Sequence, residues 1–453
     1  MEMLTRRELT TQALILLFSV LMWISFSVTH SNLTLYLLAG TLIAISLLAP
    51  VNQYLSIILL TVTLVPWDYL NSNSTLIYFN PGLAVAVVFL LRRLLTEKMS
   101  ELRVKVLAAG GLFAIYLSIL AILKEHQHGL FQSVVLALIS ALVWFVFPAF
   151  MSTESVIEKN WLTILGLSIC LGSFGILEFM TRKNTFSWFF ESSFQLLTQK
   201  WGTYRITTTL GHPLVNGLIF AILGVLCLYL AASRIHTFAA YSAVAVATTA
   251  EAMTGSRSGL LAMGIGYALL LWLKFLRSSK WSMWFILLVS SLLALFLSLE
   301  QFGVYQRFSL SESAESTTYR FYLLEQIPKF ITNNGILGVG PFSSATEWQK
   351  QDLSGLPLEN STIQLLFSYG LLGLVALSLF LTKNVVGNLR TPKGFGSAPV
   401  LLAFIIAASG FNFFEAFPSF LALTSVIVSL LYGNALISPA TSQNINNSPE
   451  ENR

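Results

Sequence analysis

Charge is scarce in this sequence. Asp, Glu, Lys and Arg make up 10% of its 453 residues, while 55% are hydrophobic. A soluble domain carries roughly 25% charged residues, so this chain cannot cover a water-facing surface, and a soluble fold is excluded. Cysteine is scarcer still. Cys170 and Cys227 lie in separate apolar runs, with no Cys or His at metal-ligand spacing, so both read as small core residues. Aspartate occurs only as Asp68 and Asp352, so there is no DxD pair for a metal-bound nucleotide. There is no P-loop, which excludes nucleotide-driven transport. The glycines of NNGILGVGPF (333–342) follow no strand of a βαβ unit, so they are not a dinucleotide fingerprint. The five histidines are scattered without an HExxH pair. No cofactor and no protein-bound metal is expected.

What the sequence has in abundance is apolar runs of about 20 residues, each long enough to cross a hydrocarbon core of about 30 Å. About 14 candidate spans can be marked, at 11–29, 32–49, 53–67, 75–91, 104–123, 130–150, 161–180, 212–232, 237–254, 258–275, 281–299, 361–382, 396–414 and 417–436. The fold class is therefore all-α: a polytopic integral membrane helix bundle of about 12–14 transmembrane helices. The first run follows Arg6 and Arg7 without a small-residue cleavage site, and reads as an uncleaved span. With a cytoplasmic N-terminus, the loops holding Arg92, Arg93, Lys98, Arg103 and Lys105, then Arg234, then Lys274, Arg277 and Lys280, then Lys383, Arg390 and Lys393 all fall inside. That is the positive-inside asymmetry, so the net charge of +5 signals topology and not nucleic acid. Residues 1–437 are expected to form one transmembrane domain. Its two long loops, about 181–211 and 300–360, would face outside, and 438–453 would form a disordered polar tail. Within the second loop, Leu323, Leu324, Ile327, Phe330 and Ile331 have the spacing of an interfacial helix.

Ionisable residues at the edge of a membrane are the candidates for function. Arg257 lies in MTGSRSG (253–259), where Ser256 and Ser258 supply donors and the glycines leave room for a bulky anion. Its bland alternative is a side chain snorkelling to lipid headgroups. Arg205 lies in WGTYRITTTLGHPLVNG (201–217), ahead of a helix start marked by Pro213. It could equally be a loop arginine on lipid phosphate. Arg320 heads the interfacial helix, or is a solvated surface charge. Glu359 and Asn360 sit where the second loop re-enters the membrane, in LPLENSTIQLLFSYGLLG (356–373). They suit either helix capping, by Asn360 or Ser361, or a general base at the membrane surface.

These stretches, in this order, resemble the superfamily of O-antigen ligases and Wzy-type polysaccharide polymerases, bacterial polytopic membrane glycosyltransferases. The resemblance rests on Arg205 to Asn216, on TGSRSGLLAMGIGYALLL (254–271), on Arg320 to Phe342, and on ENSTIQLLFSYGLLGLV (359–375). It covers most of 200–380. Ligases of the superfamily typically have His-Asn where this chain has Glu359-Asn360, and a carboxylate there looks more like the polymerising members.

The resemblance implies a GT-C-like bundle in the bacterial inner membrane. It also implies transfer of glycan from a polyprenyl-diphosphate-linked oligosaccharide on the outer leaflet, with inversion and without nucleotide sugar. Arg205, Arg257 and Arg320 would hold the diphosphate, Glu359 would take the acceptor proton, and Asn360, Ser256 and Ser258 would support them. Partners would be the lipid-linked glycan, membrane lipids, and assembly proteins such as a flippase or chain-length regulator. A transporter for lipid-linked sugars, drawing on Glu178 and Glu251 near span ends, and a non-catalytic export subunit stay open.

Overall fold

The computed structural model describes residues 6–70, 80–96, 101–123, 129–151, 155–193, 204–276, 311–334, 336–351, 358–389 and 396–432. The expected tail at 438–453 and the span at 281–299 lie outside them. Among the described residues there is no strand.

The helices, in chain order, are α1 (Arg6–Thr29), α2 (Asn32–Leu48), α3 (Tyr54–Leu64), α4 (Pro81–Thr96) and α5 (Glu101–Leu123). Next comes α6 (Gly129–Ala141), which runs through a π-helical turn, Leu142–Val146, into Phe147–Met151. Then follow α7 (Trp161–Thr181), α8 (Pro213–Ala232), α9 (Thr237–Thr254), α10 (Arg257–Leu276), α11 (Ser311–Asn334), α12 (Ser344–Gln351), α13 (Ser361–Leu389), α14 (Ser397–Ala408) and α15 (Leu421–Ser429).

Seven of these are long and apolar enough to cross a membrane: α1, α5, the α6 stretch Phe131–Met151, α7, α8, α10 and α13. The expected spans at 32–49, 53–67, 396–414 and 417–436 correspond to shorter apolar helices, and those at 75–91 and 237–254 to α4 and α9. The chain is a polytopic helical membrane protein.

Burial separates the centre of the bundle from its rim. The apolar window of α8 is 94% buried and that of α1 only 28%, so α8 is the axis and α1 presents leucines outward. Around α8 pack α7, α9, α10 and α14. Small residues permit this closeness, as expected where helices associate by packing instead of by exclusion of water. Gly217 of α8 faces Gly259 of α10, where an added Cβ on Gly259 would lie 3.0 Å from the Gly217 Cα. Gly266 of α10 meets Ala403 of α14 in the same way.

Helix α13 is broken. Gly370 has φ 70° and ψ 176°, outside the helical region, and residues 336–340 dock into the gap. Val339 and Gly340 donate their N–H groups to the freed carbonyls of Phe367 and Ser368 at 2.9 Å. Leu371 N–H donates to Ile336 O at 2.8 Å. The Tyr116 hydroxyl of α5 bonds the carbonyls of both Leu337 (3.0 Å) and Tyr369 (2.8 Å). A helix interrupted within a membrane must have its backbone groups satisfied by protein, and this loop satisfies them. A small second core (Leu323, Phe330, Val339, Trp348, Leu358, Phe367) ties α11 and α12 to the first half of α13, with Phe330 and Phe367 stacked at 3.5 Å.

Candidate functional site

Arg205 sits on an extended segment, Tyr204 to Thr207, running beside the C-terminus of α9. Ile206 N–H reaches Met253 O at 3.3 Å. Arg205 is 5% exposed. Its Nε donates to Thr254 O at 2.8 Å and Nη2 to Gly255 O at 3.5 Å. A cation on the last carbonyls of a helix is favoured by the helix dipole, and Gly255 (φ 61°) supplies the left-handed residue that ends α9.

Two buried side chains fix this segment. Glu178, in the last turn of α7, accepts from Thr207 N and Thr208 N (both 2.9 Å), Thr207 Oγ1 and the Tyr204 hydroxyl (both 3.1 Å), and Asn184 Nδ2 (3.2 Å). Asn216, in the first turns of α8, donates to Thr207 O (2.5 Å) and His212 O (3.0 Å) and accepts from the Thr208 hydroxyl. Glu178, near a span end and a candidate transporter residue by sequence, has its oxygens engaged in holding the Arg205 loop.

Arg257 is the first residue of α10. Ser256 caps that helix, its Oγ accepting from Gly259 N at 3.1 Å, and Ser258 Oγ lies 3.3 Å from Ser256 Oγ. Ser258 packs directly under Gly410, where no side chain would fit. On the other side of Gly410, its carbonyl accepts from Arg320 Nη2 at 3.0 Å. Arg320 Nε is buried and has no hydrogen-bond partner among the described residues. The Arg257 and Arg320 charges act on one another, and Arg320 acts in turn on the half-buried Glu359. Burial pushes the Glu359 carboxyl above the ordinary carboxylate range, and Arg320 opposes that rise.

Asn360 is the N-cap of α13: its Oδ1 accepts from Thr362 N (2.9 Å) and Ile363 N (3.0 Å). Ser361 ties the same turn to the loop between α14 and α15, donating to Phe411 O at 2.7 Å and accepting from Phe413 N at 2.8 Å. The Thr362 and Ser409 hydroxyls meet at 2.8 Å.

The turn at 409–413 is thus the hub. Ser258, Arg320 and Ser361 converge on it from α10, α11 and α13, and so bring the Arg257 and Arg320 charges, and Arg320 and the half-buried Glu359, within reach of one another. Arg205 lies against the end of α9, bonded to the carbonyls of Thr254 and Gly255, just before Ser256 and Arg257. His212, the N-cap of α8, packs against the same turn, its ring 6.3 Å from that of Phe411. Neither His212 nor the 409–413 turn stood out in the sequence. No spacing rule connects a loop between two late spans to an arginine some 90 residues earlier. Among the described residues, no group of His, Cys, Asp and Glu side chains could hold a metal ion.

Residues 242–378 match the family model described as O-antigen ligase. This stretch is an O-antigen ligase family domain. It runs from α9 to the second half of α13, so Ser256, Arg257, Ser258, Arg320, Glu359, Asn360 and the Gly370 break all fall within the O-antigen ligase domain, while Arg205 precedes it. The chain is a multi-pass membrane protein that carries this domain over residues 242–378; members of the domain's family are glycosyltransferase-like enzymes. Comparisons with curated proteins and with solved structures return no match.

Proposed function

We propose that the chain transfers glycan from a polyprenyl-diphosphate-linked oligosaccharide at the outer face of the inner membrane, and that it polymerises repeat units of a surface polysaccharide. The observation that carries this reading is the convergence of Arg257, Arg320 and Glu359 around Gly410. The leaving group is a diphosphate, whose charge grows as the anomeric C–O bond breaks. Two guanidinium groups close together, with no metal needed, suit that charge, because charge-assisted bonds strengthen as it develops. Arg205, on the carbonyls that end α9 just before Arg257, adds a third guanidinium to this end of the bundle.

An acceptor sugar hydroxyl attacks the anomeric carbon from the face opposite the diphosphate. Its oxygen forms the new glycosidic bond, the departing electron pair stays on the diphosphate oxygen, and the hydroxyl proton passes to Glu359. A carboxyl held above its usual range by burial is a better base than an exposed one. Inversion follows from the single displacement.

The matched description favours a second reading, in which the acceptor is a lipid core and the chain is a ligase. A deletion strain separates the two. The readout is the length distribution of surface polysaccharide and of lipid-linked intermediates on a gel. Loss of long chains, with single repeat units transferred or accumulating, supports polymerisation. Full-length chains stranded on the carrier lipid support ligation, with Glu359 standing where ligases typically have histidine. An unaltered profile contradicts both.

A further inference from the structure

A cavity of about 430 Å³ opens beside the second half of α13, directly past the Gly370 break. That volume lies in the range of small-molecule sites, about 300–1,000 Å³. Its floor is a row of touching rings: Phe113 of α5, Phe145 in the π-helical turn of α6, and Phe380 of α13, with successive centroids 5.1 and 4.5 Å apart. Gly373 keeps one wall low, since a Cβ there would stand 3.2 Å from the Tyr116 ring. Leu112 and Leu372 line it too and are 70% and 54% exposed, so the cavity is open at their side. Residues 371–389 alone are about 28 Å long, a match to a hydrocarbon core of about 30 Å. Leu372, Gly373, Ala376 and Phe380 come first after the break, so the cavity opens to lipid in the half of the membrane nearer Glu359. Water does not occupy an apolar cavity at that depth, whereas a hydrocarbon chain can. Tyr116 ties the cavity to the break. Its ring lines the cavity, and its hydroxyl bonds the carbonyls of Leu337 and Tyr369. Phe113 packs edge-on against Tyr369 at 5.4 Å.

We propose that this cavity seats the isoprenoid chain of the lipid diphosphate substrate, and that the seated chain, through Tyr116, holds the 336–340 loop in the α13 break and so favours the arrangement of Arg320 and Glu359. This rests on the glycosyl-transfer reading above. Two features select an isoprenoid chain over an acyl chain. The cavity continues from the Glu359 end of α13: the half of the helix before the break is about 14 Å long, so a lipid with its diphosphate at that end lays its chain past the break. The small residues Ala109, Gly373 and Ala376 widen the cavity where methyl branches need room. A chain that packs on the Tyr116 ring while the loop is docked stabilises the docked state by linkage.

The test uses the full chain in phosphatidylethanolamine nanodiscs and two diazirine-bearing probes, farnesyl diphosphate and phosphatidylglycerol. The farnesyl probe is expected to label cavity residues of α5 and α13 and to protect the 336–340 segment from proteolysis. Ala376→Phe narrows the cavity from its lipid-exposed wall. It is expected to cut farnesyl labelling on the order of tenfold, the worth of about two buried methylenes. If that variant fails to fold, Ala109→Phe on the facing wall decides on the same readout. Tyr116→Phe keeps the ring and removes the hydroxyl, so labelling should persist while protection is lost. Equal labelling of the cavity by phosphatidylglycerol overturns the inference, because any membrane chain would then serve. So does labelling that the Phe variants leave unmoved, or protection that survives in Tyr116→Phe. Glycan transfer by a wild-type chain that takes no farnesyl label in the cavity overturns the inference alone. Label without transfer from a polyprenyl-diphosphate-linked donor overturns the transfer reading, and the coupling to Glu359 with it.

Discussion

Gly338 and Gly370 meet backbone to backbone: a Cβ on Gly338 would lie 2.7 Å from the Phe367 carbonyl oxygen and 2.8 Å from the Gly370 Cα. Both have positive φ, 84° and 70°, so each position excludes side chains by conformation and by space. Through this contact the loop that follows α11 is locked to the break in α13, and Arg320 and Glu359 belong to elements joined by that lock. Gly370→Ala combines a backbone strain of about 1–3 kcal/mol, since φ 70° with ψ 176° is a conformation essentially reserved to glycine, with a backbone clash. It is expected to lower the melting temperature of the purified protein and to open the 336–340 segment to proteolysis. Unchanged melting and cleavage would show that the lock is dispensable.

Asn360 separates capping from chemistry. Replacement by Ala removes the N-cap and is expected to cost about 1 kcal/mol, while Asp retains most of it. Polysaccharide output should follow stability in both. Loss of output in a fully stable Asn360→Asp chain would mean that the side chain does more than cap.

Arg257→Lys keeps the charge and loses the planar fork. Surface polymer is expected to fall at least about tenfold with the protein level unchanged, since a point charge does not replace paired hydrogen bonds to a diphosphate. Immunoblot and gel together check this.

Glu359 gives the site a pH signature. Its carboxyl is raised by burial, and a base must be ionised to act. The transfer rate should therefore be lost as pH falls through a midpoint above the ordinary glutamate value of about 4.3. Arg320 pulls that midpoint down, so Arg320→Gln should move it to higher pH while also lowering the rate. A midpoint that stays in place in this variant would remove Glu359 as the titrating base.

The sequence carried the helices well because each apolar run is long and charge-poor, a pattern that survives without knowledge of neighbours. It also offered Arg257, Arg320 and Glu359 as candidates, on three separate stretches within 253–259, 319–333 and 356–373. What it could not carry was how they meet. Gly410 accepts from Arg320 across 90 residues, and Ser361 reaches Phe411 and Phe413 across about 50. These are tertiary contacts with no local period. The break at Gly370 was hidden for a related reason: FSYGLLG has ordinary helical composition, and only the docking of 336–340 makes the non-helical glycine favourable. Asn360 was legible as a cap candidate because its role is local. Arg205 was legible as a cation before a helix start, but its partners are the carbonyls that end a different helix.

The proposed role of Glu359 is to take the proton from the acceptor hydroxyl. It is tested most directly by complementing a deletion strain with Glu359→Gln, a change that preserves shape and removes the base. The readout is polysaccharide chain length at matched protein level. The account requires loss of long chains with lipid-linked repeat units accumulating. Chains of wild-type length from a Glu359→Gln protein would contradict it.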